Sequence, residues 1–259
     1  LGFSMLKKLL AHPLVLHANL DDPSTIGLQK QVLNSKPFLK QLYQEWYQLL
    51  ATEFSSDQQV LEIGAGPGFL KEHLHNSIRS EILPVPDSDL VLDARHLPLK
   101  DNSLDGIVMT NVLHHVQDCS AFFNEATRAV RPSGKLVMIE PWNNPWARLI
   151  YNHLHHEPFL PEADDWELAA GGPLSAANGA LPWIILVRDR ERFAEQHPEW
   201  HLHTLTPLMP FAYILSGGLS QRSLLPGSTY PFVRWLEKKI GEKHWGMFVK
   251  ICLTRRFIT

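Results

Sequence analysis

The chain has 259 residues, 44% hydrophobic and 20% charged, which suits one or two soluble globular domains and excludes a disordered chain. Lys and Arg number 24 against 27 Asp and Glu, so the net charge is −3 and exerts no general pull toward nucleic acid. Two cysteines, Cys119 and Cys252, exclude a disulfide scaffold and a zinc knuckle, and no apolar run is long enough to span a bilayer. The opening residues lack a signal-peptide pattern, so a cytoplasmic location is the expectation.

In chain order, the segment Phe38 to Leu50 places Leu39, Leu42, Trp46 and Leu49 on one face and predicts a helix. Gln59 to Ile63 reads as a short apolar strand ending at Gly64. Pro67 suits the first position of a following helix that carries Phe69, Leu70 and Leu74. Short strands recur at Glu81–Leu83, Asp89–Leu92, Asp105–Met109 and Lys135–Ile139. A helix from Cys119 to Val130 precedes the last of these, closed by a turn at Pro132-Ser133-Gly134. Strands alternating with helices imply a parallel, doubly wound sheet. Residues 141–187, rich in Trp, His, Pro and Gly, read as an insertion or lid. Beyond it, Val187–Glu195 and Pro231–Ile240 read as helices, and Trp200–Thr206 and Met247–Leu253 as strands completing the sheet.

The most informative stretch is Glu62-Ile63-Gly64-Ala65-Gly66-Pro67-Gly68, a strand end followed by glycines and a helix start. A dinucleotide fingerprint needs a third glycine where Phe69 stands, which weighs against an NAD(P) oxidoreductase. The acidic-x-G-x-G-x-G run instead resembles motif I of the class I S-adenosylmethionine-dependent methyltransferases. Three later segments resemble that family in the same order. They are Asp93-Ala94-Arg95-His96-Leu97-Pro98-Leu99-Lys100-Asp101-Asn102-Ser103-Leu104-Asp105, Asn111-Val112-Leu113-His114-His115-Val116 and Arg131-Pro132-Ser133-Gly134-Lys135-Leu136.

The resemblance implies an α/β fold with a doubly wound, mostly parallel seven-stranded sheet and an insertion after the fifth strand. It divides the chain into an N-terminal helical segment (1–57), a cofactor-binding half (58–140), the insertion or lid (141–187) and a C-terminal half (188–259). It implies S-adenosyl-L-methionine as cofactor. Gly64, Ala65, Gly66 and Gly68 would let the backbone approach its methionine part, and Glu62 would orient its amino group. Asp93 and Ala94 would hold the adenine edge, and Asn111 and Val112 would floor the sulfonium. The family's ribose carboxylate at the end of the second strand falls to Glu81, about 20 residues after Glu62. Pro84 and Pro86 stand where the family has a helix, which would open the adenine side.

A methyl acceptor must be aligned with the sulfonium, and a hydroxyl acceptor needs a base. His115, at the carboxyl edge of the fourth strand, is one candidate. In His153-Leu154-His155-His156-Glu157, His156 and Glu157 are the others, aimed at an acceptor pocket. His153 and Glu157 at helical spacing look like half of a metal site, but no closing cluster is apparent along the sequence, so no metal is expected. The glycine-rich loop from Gly171 to Trp183 reads as a lid, and Tyr213 to Leu225 as a pocket wall. The expected activity is methyl transfer to a small molecule, apolar or sugar-containing, rather than to nucleic acid. The competing reading is a non-catalytic methyltransferase-like binding or scaffold protein.

Overall fold

A computed structural model describes residues 10–257 apart from 17, 156 and 170. Seven strands form one sheet in the order β3-β2-β1-β4-β5-β7-β6. They are β1 (Val60–Ile63), β2 (Ile78–Glu81), β3 (Leu90–Val91), β4 (Leu104–Thr110), β5 (Val130–Pro141), β6 (Trp200–Leu208) and β7 (Phe248–Arg255). The first five pair in parallel, and β7 runs antiparallel between β5 and β6. The expected mostly parallel, doubly wound sheet is therefore present. All four residues of β1 are buried, as expected for a central parallel strand covered on both faces.

Two N-terminal helices, α1 (Ser24–Ser35) and α2 (Pro37–Ala51), precede the sheet. Pro37 stands at the start of α2, where its missing N–H is harmless, and seven side chains of this helix are buried. Among them, Trp46 packs edge-on against Phe248 at 4.8 Å and stacks on Tyr213 at 5.9 Å, which anchors α2 to the far half of the sheet. The helix after the glycines is a single turn, α3 (Leu70–His73), and begins three residues later than Pro67 suggests. Gly68 N donates to Ala65 O at 2.8 Å, so Pro67 and Gly68 remain within the tight turn.

Helix α4 (Cys119–Ala129) is capped by Asp118, whose carboxylate accepts from Ala121 N at 2.9 Å. The predicted turn at Pro132–Gly134 lies inside β5, where pairing jumps from Leu104↔Val130 to Gly106↔Lys135 and Ser133 adopts a φ of 68°. Helix α5 (Pro145–Leu154) follows, capped by Asn144. The apolar run Trp183–Val187 is helical: α6 (Leu181–Trp183) widens into a π-turn over Ile184–Arg188, closed by Asp189 N donating to Ile184 O. Helix α7 (Arg190–Gln196) continues from it, so the helix expected from Val187 starts later, after this widened turn. Helices α8 (Ala212–Ser216), α9 (Tyr230–Ile240) and α10 (Glu242–Trp245) lie between β6 and β7. No segment between β2 and β3 is helical, in line with Pro84 and Pro86. No helix among the described residues is long and apolar enough to cross a membrane.

Candidate active site

A cavity of about 740 Å³ lies along the carboxyl ends of β1, β2, β4 and β5. At one end its wall is backbone. Gly64 (φ 64°) and Gly66 (φ 47°) hold the left-handed conformation that glycine adopts without strain. They serve different ends. A Cβ on Gly64 would meet Val112 Cγ2 at 2.5 Å, whereas a Cβ on Gly66 would meet nothing closer than 3.9 Å and would project into open space. Gly68 does not line the cavity; a Cβ there would strike the Tyr47 hydroxyl at 2.0 Å, so this glycine makes room for α2. Ala65 lines the cavity between Gly64 and Gly66.

Glu81 ends β2, borders the cavity and accepts a hydrogen bond from Gly66 N. Burial raises its pKa, and the Gly66 amide opposes that shift. Asp93 and Ala94 border the cavity next to it. Both Asp93 oxygens are already held by Arg95, through Nε at 3.0 and 3.1 Å and Nη2 at 2.6 Å, which keeps this carboxyl ionised. Glu62 is fully buried and does not line the cavity. Burial pushes its pKa up to about 8. It neighbours Tyr47, yet neither of its oxygens accepts a well-formed hydrogen bond among the described residues. Its neighbour Tyr47 and the β4 residue Thr110 do line the wall.

Asn111 (φ 56°) and Val112 form the floor at the end of β4. Asn111 N donates to Ile139 O at 2.8 Å, while its buried Oδ1 finds no partner among the described residues. Val112 N and Leu113 N both donate to Glu140 Oε1 at 2.8 Å, which fixes the short 3₁₀ turn Leu113–His115 on the end of β5.

The other end of the cavity is made of side chains. His114 lies between two carboxylates: Nδ1 is 2.7 Å from Glu140 Oε2, and Nε2 is 3.3 Å from Glu157 Oε2. Burial disfavours its charge, but the two carboxylates outweigh burial and raise its pKa to about 10. His115 Nδ1 lies 2.9 Å from Ala176 O. A carbonyl only accepts, so the proton sits on Nδ1 and Nε2 keeps its lone pair, 3.6 Å from Glu157 Oε1. Burial and the neighbouring His114 charge lower the His115 pKa to about 4. Glu157 resists burial because His114, His155 and His115 surround it, and stays well below the usual carboxylate range. Helix α5 ends at Leu154, so His153 and Glu157 do not share a helical face. His156 lies outside the described residues.

Residues 61–138 match the family model described as a methyltransferase domain. That stretch therefore carries the likeness to a methyltransferase domain, over the same strands and turns that build the glycine end of the cavity. Over 67 residues it is 43% identical to an uncharacterized 37.1 kDa protein of transposon TN4556 from Streptomyces fradiae. That match covers 26% of this chain and 19% of that protein. Two solved structures resemble the fold. One is a chain of the complex containing the Haloferax volcanii Trm112 methyltransferase activator, with TM-score 0.55 and 12% identity over 93% of this chain and 100% of that one. The other is geranyl diphosphate C-methyltransferase from Streptomyces coelicolor A3(2), with TM-score 0.51 and 16% identity over 95% and 91% of the two chains.

Several residues that build the far end of the cavity carry no motif of their own in the sequence. Glu140 closes β5 and holds both the turn and His114. Tyr43, Tyr151 and Tyr213 come from three distant helices and converge on the Glu157 end. The signal that could have found Glu140 is an acidic residue closing a buried strand, Met138-Ile139-Glu140-Pro141. The loop from Gly171 to Trp183 covers this end but is tied down. Asn178 N donates to His114 O at 2.9 Å, and the Leu174 and Ser175 amides donate to Asp21 Oδ1 at 2.8 and 3.1 Å.

Proposed function

We propose that the protein transfers the methyl group of S-adenosylmethionine to a small-molecule acceptor. The observation that carries this reading is the continuity of one cavity from the Gly64–Gly66 turn, Glu81 and Asp93 to His115, Glu157 and Tyr213. Its volume is in the range that encloses a cofactor and a modest ligand. Its lining holds three carboxylates, Glu81, Asp93 and Glu157, against two cations, Arg95 and the protonated His114, and Glu81 and Asp93 stand at the glycine end, which suits a sulfonium cofactor. Tyr43, Tyr151, Tyr213, Phe159 and Phe248 make the acceptor end aromatic, which favours a flat or apolar acceptor over a nucleic-acid strand.

In this reading the chain's main contribution is alignment, which supplies roughly 7–11 kcal/mol when reacting atoms are held in line. The lone pair on His115 Nε2 and the Glu157 carboxylate are the groups that take or orient an acceptor proton. The test is calorimetric titration with S-adenosylhomocysteine, followed by turnover with labelled S-adenosylmethionine over aromatic and sugar-bearing acceptors. Saturable binding with turnover supports methyl transfer. Binding without turnover on any acceptor class moves the protein to the non-catalytic reading, and no binding at millimolar ligand overturns both.

A further inference from the structure

His114, His115 and Glu157 bring their ligating atoms within 4.8 Å of one another at the acceptor end of the cavity. Two of these separations are 3.3 Å, from His114 Nε2 to Glu157 Oε2, and 3.6 Å, from His115 Nε2 to Glu157 Oε1. Ligands about 2.1 Å from a tetrahedral zinc ion stand roughly 3.4 Å apart, which these two separations match; an ion that binds here displaces to solvent the Nε2 proton that His114 carries at neutral pH.

The surroundings of the two imidazoles carry the argument further than proximity. A histidine that binds a metal through one nitrogen usually donates the other N–H to a carboxylate or a backbone carbonyl, which fixes its tautomer and orientation. Both forms occur here. His114 Nδ1 faces Glu140 Oε2 at 2.7 Å, and His115 Nδ1 faces Ala176 O at 2.9 Å. Each ring is thereby held with Nε2 turned toward Glu157. The supports are themselves fixed: Glu140 is fully buried and accepts the Val112 and Leu113 amides. Two imidazoles and one carboxylate form the donor set of catalytic zinc sites that leave a position open, and nitrogen ligands disfavour Mg²⁺ and Ca²⁺. All three residues line the cavity, so an open position would face it.

We propose that His114, His115 and Glu157 bind one divalent transition-metal ion of the zinc class, with Glu140 and the Ala176 carbonyl orienting the two imidazoles. The inference goes beyond methyl transfer. Only its consequence rests on that reading: with the His115 and Glu157 lone pairs on the ion, the ion in their place would bind and orient an oxygen or nitrogen of the acceptor and acidify its proton.

The experiment uses the full chain stripped with a chelator, titrated with Zn²⁺ by calorimetry and with Co²⁺ by visible absorption. About one ion per chain is expected, with Co²⁺ bands of a low-coordinate nitrogen and oxygen site. His115→Ala and Glu157→Gln should each weaken Zn²⁺ binding by at least ~100-fold, and Glu140→Gln by about 10–100-fold. His201→Ala should leave binding unchanged, since that side chain is exposed on the edge strand β6. Thermal unfolding of each variant separates a lost site from a lost fold. Absence of saturable binding to wild type, or binding that survives both His115→Ala and Glu157→Gln in folded protein, overturns the proposal. Titration with S-adenosylhomocysteine runs alongside. Cofactor binding without zinc removes only the metal site, and zinc without cofactor binding removes only the methyl-transfer reading.

Discussion

The two ends of the cavity are built by different means. At the Gly64–Gly66 end, one short turn supplies the wall, and the next contributors, Glu81 and Asp93, stand at or just past the ends of the two neighbouring strands. At the other end, Tyr43, His115, Glu157 and Tyr213 come from four separate parts of the chain and meet through side chains. A backbone wall tolerates little substitution, because its shape depends on positive φ and on the lack of a Cβ. A wall of side chains can change its chemistry one residue at a time while the sheet beneath stays the same. The first end therefore suits a constant ligand and the second a variable one.

The largest effect that would sharpen this contrast is at Gly66. A valine there has open space within the protein, but its side chain would project into the cavity from a left-handed backbone. Gly66→Val should abolish the rise in melting temperature that S-adenosylhomocysteine produces, while strain lowers stability without ligand by about 1–3 kcal/mol. A variant that still shows the full shift would mean the cofactor lies elsewhere. Next in size, His115→Ala at the side-chain end should leave S-adenosylhomocysteine affinity within a few-fold and lower turnover on a hydroxyl acceptor by at least ~10²-fold. Equal losses in both measurements would erase the distinction between the ends.

Glu81 tests the backbone end more gently. Glu81→Ala should weaken S-adenosylhomocysteine binding by roughly 1.5–3 kcal/mol, the range for a hydrogen bond to a charged group. Because Glu81 also accepts from Gly66 N, the unliganded protein should lose some stability as well. Unchanged affinity by calorimetry would show that this carboxylate only braces the turn. Glu62 offers a pH signature. Its folded pKa of about 8 lies above the unfolded value, so its contribution is fully present below about pH 4.5 and is lost as pH rises through 8. Within that window the group should tilt unfolding free energy by at most about 1.4 kcal/mol per pH unit. Denaturant melts at stepped pH should show the tilt in wild type and a flatter profile in Glu62→Gln; identical slopes would mean Glu62 is not buried as an acid.

The same contrast explains what could be read from the residues alone. The strands follow from short apolar runs, and the glycine turn from a contiguous motif, because the burial pattern of a strand and the geometry of a turn are local in sequence even though the strands pair across long separations. The place of Glu81 beside the turn is legible because a strand end has a definite position relative to the turn. The setting of Gly68 is not legible in the motif, since the space it leaves is filled by Tyr47 on α2, some twenty residues earlier. The Arg95 clamp on Asp93 is a rotamer outcome that no spacing reveals. Pairing His153 with Glu157 assumed that the helix continues, whereas α5 stops at Leu154 and hands Glu157 to His114 and His115 instead. A cluster assembled across forty residues by two loops leaves no periodic trace.

The smallest expected effect concerns how the variable end is roofed. Glycines at 171, 172 and 179 suggest a mobile lid, yet the loop between them is held from both sides. Asp21 Oδ1 accepts from the Leu174 and Ser175 amides, and Asn178 N reaches the His114 carbonyl. Gly172 is also hemmed in, since a Cβ there would meet Asp21 Oδ2 at 2.0 Å. Asp21 is well hydrated, so the two bonds are screened and their combined worth is at most about 1 kcal/mol. Asp21→Ala should therefore hardly move the melting temperature or the affinity for S-adenosylhomocysteine. Hydrogen exchange at the Leu174 and Ser175 amides should rise by up to ~5-fold, the Boltzmann factor for that energy, while the Asn178 amide stays protected by its own bond. If the roof opens as a unit, Asn178 will exchange faster too, and the loop is a lid hinged on its glycines. If only the first two amides respond, the acceptor end is a fixed wall pinned at two independent points, and an acceptor must fit the cavity as it stands.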